Sequence, residues 1–159
     1  VAEYVYQFDE AKAFGGERNT PDEMKISAMT FINATTLLVE ERTDLVAKLY
    51  LIDLRTATNI LGSKWNDERT MPTLESLEDP QREGVVPTPK ALQLDLSTLR
   101  DIPTKIEGMA LIDAQTIAII NDNDFDINDA TFDPMGNLIP PGAKTRILIV
   151  RLPVALPLG

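Results

Sequence analysis

The run Asn121-Asp122-Asn123-Asp124-Phe125-Asp126-Ile127-Asn128-Asp129 sets oxygen-bearing side chains at alternating positions. A hard cation such as Ca2+ takes about six to eight oxygens in a tolerant geometry. Asp122, Asp124, Asp126 and Asn128 therefore make a candidate calcium loop. They resemble the first half of an EF-hand loop, but Ile127 stands where its Gly belongs, Asp133 replaces the bidentate Glu, and no flanking helices are predicted. An EF-hand is excluded, and a solvated acidic turn is the competing reading, because Asn and Asp readily bond their own backbone. Glu107 is the second candidate. Set between Ile106 and Gly108-Met109, it opens a strand as an acid in apolar company, where a lone charge is costly. It would either face a central channel as metal ligand or acid/base, or pair with Lys105 or Arg146. Glu41 and Asn121 end two similar hairpins at equivalent rims. They share a site, or Glu41 and Arg42 form an exposed pair. Trp65 reads as packing, and Arg18, Lys25, Lys105 and Arg146 as surface cations able to meet phosphate oxygens.

Composition narrows the chemistry. The chain has 159 residues, 43% of them hydrophobic, with 15 basic against 25 acidic residues and a net charge of −10. That field repels nucleic acid and anionic lipid and favours cations or basic partners. Neither cysteine nor histidine occurs. Disulfides, thiolate chemistry, Ser-His-Asp triads and His-ligated zinc are thus excluded within this chain. No apolar run is long enough to cross a bilayer. The chain opens at Val1 with no basic-then-apolar leader, so the expectation is a processed product or a piece of something longer.

The elements that must position these residues are strands. Lys25 to Val39 returns at Lys105 to Ile119, with Lys, Ile, Met, Ile, Ala and Thr identical without a gap. Chance gives about one identity in such a window, at roughly one in fifteen per position. The repeat predicts hairpins over Met24–Ile32 with Thr36–Glu41 and over Ile106–Asp113 with Gln115–Asn121. Further strands are predicted at Glu3–Phe8, Ala47–Leu54, Ala91–Leu96 and Thr145–Leu152. Residues 56–90, with Pro72, Pro80, Pro87 and Pro89, read as an irregular excursion containing a short helix at Leu74–Glu78 capped by Thr73.

Units of about four antiparallel strands at a fixed period predict an all-β protein made of about two four-stranded propeller blades. These are 1–96, a preceding outer strand plus the first blade, and 97–159, the second blade with the acidic loop 121–144. A β-sandwich is the alternative. Two blades leave two wet faces of several hundred Å2, forfeiting on the order of 10 kcal/mol each at ~25 cal/mol per Å2. The remaining blades are expected from another polypeptide or a precursor segment.

Several segments resemble the family described as esterase-like activity of phytase: Lys25-Ile26-Ser27-Ala28-Met29, Leu37 to Arg42, Lys48 to Leu54, Gly62 to Asp67, Lys105 to Ala110, Ile120 to Phe125 and Thr145 to Pro153. The resemblance covers nearly the whole chain, as the C-terminal part of that family's longer domain. It implies a secreted or periplasmic propeller-like protein acting on phosphate or carboxylic esters. No Asp-Asp-Pro-Ala-Ile-Trp-type signature of calcium-dependent propeller phytases occurs, so no catalytic residue is carried over. Glu107-Gly108 at an inner strand, with Asn and Asp ligands from neighbouring blades, is also similar to the gluconolactonase and paraoxonase propellers. That similarity implies calcium ligation by Glu107, Asn121 and Asp122, with Asp124 and Asp126 from the same loop as further candidates and the other ligands in blades outside the chain. The alternative is a non-catalytic, calcium-stabilised binding or accessory subunit.

Overall fold

A computed structural model describes residues 1–16, 18, 20–127 and 130–159. Its regular elements are antiparallel strands and short 3-10 turns, with no α-helix among the described residues. Strands β1 (Lys25–Asn33), β2 (Thr36–Arg42), β3 (Ala47–Asp53) and β4 (Lys90–Asp95) form one sheet in sequence order. β5 (Ile106–Asp113), β6 (Thr116–Asn121) and β9 (Ile147–Arg151) form a second, while β7 (Thr131–Phe132) and β8 (Leu138–Ile139) pair within the long loop.

The repeat survives in three dimensions down to its irregularities. Met29 pairs with Val39 and Met109 with Ile119; Thr30 pairs with Leu38 and Ala110 with Ala118. Both hairpins break register at the same two places, between Ile26 and Ala28 or Ile106 and Gly108, and between Phe31 and Asn33 or Leu111 and Asp113. Both turns use the same device, a side-chain oxygen taking a backbone N–H two residues on: Asn33 Oδ1 from Thr35 at 3.1 Å, Asp113 Oδ1 from Gln115 at 2.7 Å. The equivalence extends to the third strand. Val39 faces Tyr50 and Ile119 faces Leu148, and the N–H groups of Leu54 and Leu152 each donate at 2.8 Å to the turn carbonyls of Thr35 and Gln115. β9 is thus the counterpart of β3, reached through a longer loop.

The way the sheets stack decides what they can build. Successive side chains on a strand alternate faces, so Leu38 and Leu49 share one face of the first sheet and Val39 and Tyr50 the other. The core joins Leu38 and Leu49 to Ile117, Ile119 and Val150 of the second sheet. Ile117 and Ile119 are the equivalents of Leu37 and Val39, which lie on the opposite face of the first sheet. The sheets therefore stack front to back, like successive wedges, rather than with equivalent faces together. β1 and β5 run close at one margin, where Thr30 Oγ1 donates to the Met109 carbonyl at 3.4 Å.

Three expectations change. Glu3–Phe8 makes only an isolated bridge, Tyr4 to Asn59, because its carbonyls serve loops instead: Glu3 O takes the Ile60 N–H at 2.9 Å and Val5 O that of Thr88 at 2.8 Å. The second sheet has three strands rather than four among the described residues. After Arg151 the chain turns back, burying Leu152 and Leu156 in the inter-sheet core. The helix at Leu74–Glu78 shrinks to one 3-10 turn, Leu74–Ser76, which the Thr73 side chain does not cap.

Candidate functional site

Where β2 meets β5, three charged side chains gather at the seam between the sheets. Arg42, with a side chain only 3% exposed, pairs with Glu107 from the other sheet. Its guanidinium also donates to Ser27 Oγ at 2.7 Å, Asp44 Oδ1 at 2.9 Å and the Thr43 carbonyl at 3.1 Å. Glu107 is the solvent-reachable member, its side chain 38% exposed. Its partner is therefore neither Lys105 nor Arg146: Lys105 pairs with Asp124, and Arg146 donates to the Asp101 carbonyl. Glu41 and Arg42, expected as an exposed pair, are both buried and engage different partners on opposite faces of β2.

Glu40 lies on the same face of β2 as Arg42 and is fully buried. Neither of its carboxylate oxygens has a hydrogen-bond partner among the described residues. Burial pushes its carboxyl up to about 8; Arg42 opposes the rise and the Glu107 charge adds to it. At neutral pH Glu40 carries a proton. The sequence holds the signal in retrospect, an acid directly after Leu37-Leu38-Val39 whose repeat equivalent is Ile120.

Glu41 points the other way, into a separate anchorage. Its carboxylate accepts from the Tyr6 hydroxyl at 2.6 Å, the Asp9 N–H and Lys90 Nζ at 2.7 Å. Tyr50 donates to Asp9 at 2.6 Å, and Lys90 stands 4.5 Å from the Tyr50 ring centre. Burial pushes both phenols up, with the bonds to Glu41 and Asp9 adding. This cluster fixes residues 4–14 over the front face of the first sheet, where Phe14, Ala11, Met24 and Tyr50 make a small second core.

Asn121 is the rim counterpart of Glu41, and it too is buried and spent on backbone. Its Oδ1 accepts from Arg146 N–H at 2.8 Å, and its Nδ2 donates to the carbonyls of Asp122 and Lys144 at 3.2 and 3.3 Å. The acidic loop is occupied likewise: Asp122 Oδ1 accepts the Asp124 N–H, Asp124 pairs with Lys105, and Asp126 accepts the Ala143 N–H. Asn128 and Asp129 lie outside the described residues. The Lys105–Asp124 pair repeats Lys25–Asp44, a 2.6 Å contact at the equivalent positions of the first sheet. Lys105 is held above its usual range by the bond to Asp124, and Asp44 below its own by the bond to Lys25.

Of the candidate metal ligands, Asp122, Asp124 and Asp126 share one loop, Asn121 stands beside it, and Glu107 belongs to the seam with Arg42. No three acidic side chains among the described residues form a set able to hold a metal ion. These donors do not by themselves fit Ca2+. Arg18 pairs with Asp22 at 2.8 Å, and Trp65 is half-buried beneath Lys64, whose Nζ lies 4.3 Å from the ring centre. No helix among the described residues is long and apolar enough to cross a membrane.

No curated protein and no solved structure matches the chain. A family model does, the phytase-like family described as esterase-like activity of phytase, over residues 1–125. The match spans the first sheet, the second hairpin and the start of the acidic loop, and stops short of β9. Covering well over half of these 159 residues, it makes the chain a member of the phytase-like family.

Proposed function

We propose that the chain supplies two consecutive wedges of a propeller-like ring that hydrolyses phosphate or carboxylic esters, with the remaining wedges provided by another polypeptide or a further segment. Front-to-back stacking of two units in identical register carries this reading, because like interfaces repeated by rotation generate rings. The family's esterase-like description supplies the reaction class. On this reading the protein works in a secreted or periplasmic setting.

Within the chain, Glu107 is the seam carboxylate that solvent reaches, Arg42 orients it, and Glu40 behind it stays neutral. Glu107 is then the one seam carboxylate placed to exchange a proton with substrate, because Glu40 is fully buried. Calcium belongs to this reading only with donors added by neighbouring wedges, since Glu107 and Asp124 already neutralise Arg42 and Lys105. Those same ion pairs favour a second reading, a non-catalytic binding or accessory module.

Turnover of phytate, an aryl phosphate and a lactone by the complete assembly, with and without chelator, separates the two. Catalysis predicts turnover that falls roughly 100-fold or more in Glu107→Gln. Turnover indifferent to chelator removes calcium from the account. Absence of turnover on every ester leaves the binding module.

A further inference from the structure

We infer that the outer edge of β9 takes a further antiparallel strand from a partner polypeptide, and that this strand is an apolar run with an acid at each end. The inference rests on the wedge reading and names the chemistry of the neighbour. In the first sheet β3 is paired on both sides, by β2 and by β4. Its equivalent β9 pairs with β6 alone, and among the described residues no backbone hydrogen bond reaches its other edge. An unpaired edge of this kind is a template for one more strand.

The residues of β9 select which strand. Counting along the pairs sets Arg146 where Lys48 stands in β3 and Arg151 where Asp53 stands, so β9 is the run Ile147-Leu148-Ile149-Val150 between two arginines. In the first sheet Lys48 meets Asp95 of β4 at 3.4 Å, and the Asp53 N–H donates to the Pro89 carbonyl at 3.1 Å. Positions 95 and 89 therefore mark what faces the two ends of the third strand of a wedge. A strand added to β9 needs an acid at the first to meet Arg146, and an acid in place of proline at the second to meet Arg151. Both arginines are exposed, and their guanidiniums donate to the Asp101 carbonyl and to Gln115 Oε1.

The chain carries a segment of this type at its other end. Glu3-Tyr4-Val5-Tyr6-Gln7-Phe8-Asp9 aligns with Pro89 to Asp95, with Gln7 matching Gln93 and Asp9 matching Asp95, and it has acids at both required positions. Each of the two segments is followed by a 3-10 turn that enters a core, Ala11–Phe14 in one case and Leu96–Thr98 in the other. In this chain the N-terminal segment already lies over the first sheet, held by Glu41 and Lys90, so it gives the pattern of the added strand and the partner supplies the strand itself. A net charge of −10 repels an acidic segment from most of the chain, and Arg146 and Arg151 are what admit one at this edge.

Titrating the isotope-labelled full chain with a synthetic peptide of residues Val1 to Glu10 tests the inference. Amides of β9 should shift and gain protection from hydrogen exchange, while those of β2 and β3 stay unchanged. The variant Arg146→Glu/Arg151→Glu changes two exposed side chains, and circular dichroism checks that it folds. It should bind the peptide roughly 10-fold more weakly, and a peptide carrying Glu3→Lys and Asp9→Lys should recover the loss. No shift at β9, equal binding of a scrambled peptide, or binding indifferent to the charge reversal overturns the added strand. Nuclear Overhauser contacts between Leu38 and Ile117 methyls in the same sample report on the stacking. Their presence without peptide binding leaves the wedges standing, and their absence overturns the wedge reading itself.

Discussion

Replacing Glu40 by isoleucine should stabilise the protein, and by an amount that depends on pH in a specified direction. The residue is fully buried, both carboxylate oxygens lack partners among the described residues, and the second unit carries Ile120 at the equivalent position. Its carboxyl moves from an ordinary value of 4.5 to about 8 on folding. Between those values the folded state holds a proton that the unfolded state has lost, so stability falls as pH rises. The stability is intact below the unfolded value and is progressively lost up to the folded one. At about 1.36 kcal/mol per pH unit, the penalty reaches roughly 3 kcal/mol at pH 7 and roughly 5 kcal/mol above pH 8. Glu40→Ile removes it, as exchanging a buried charge for an apolar residue often does. Urea titrations of both proteins from about pH 5 to about pH 8.5 read the difference directly. The variant's advantage should grow with pH and level off near pH 8. A difference that is flat with pH, or that favours the original residue at pH 8, refutes the assignment of Glu40 as a buried, proton-carrying acid.

Arg42→Ala should cost roughly 1–3 kcal/mol in the same titrations, because it removes four polar contacts at the seam while solvent takes over part of the Glu107 and Asp44 charges; a loss below about 0.5 kcal/mol would mean that the ion pair does not tie the sheets. Glu41→Ala should detach the N-terminal segment, seen as faster tryptic cleavage at Lys12 or Arg18 with the sheets still folded; unchanged cleavage rates would contradict its anchoring role. Gly108→Ala should cost roughly 1–3 kcal/mol, since a Cβ there falls 2.5 Å from Ile120 Cγ2. Its counterpart Ala28 faces Glu40 and already carries that methyl, so Ala28→Gly should cost about 1 kcal/mol or less. Comparable losses at both positions would deny the close approach.

The hairpins were legible in the sequence because their information is local: alternation, a polar turn and a repeated Lys-Ile start. The repeat also told correctly that Glu41 and Asn121 occupy equivalent rims. What stayed hidden depends on how distant segments meet. Glu3–Phe8 has a strand's alternation, yet its hydrogen bonds go to Ile60 and Thr88 and its Tyr6 to Glu41, partners that only the tertiary path brings near. Glu107 finds Arg42, 65 residues away, only once the sheets stack. The second sheet pairs three strands among the described residues, and Leu152 and Leu156 beyond β9 lie in the core, a placement that no local propensity encodes. Family membership was readable from short motifs. The fate of the acidic loop was not, because its carboxylates are engaged by Lys105 and by backbone N–H groups, which the spacing does not reveal.

Methyl–methyl nuclear Overhauser contacts in the intact chain test the stacking most directly. The account predicts that Leu38 and Leu49 methyls see those of Ile117, Ile119 and Val150, while Leu37 and Val39 see none of them. Contacts from Leu37 and Val39 to Ile117 and Ile119 would bring equivalent faces together and contradict it.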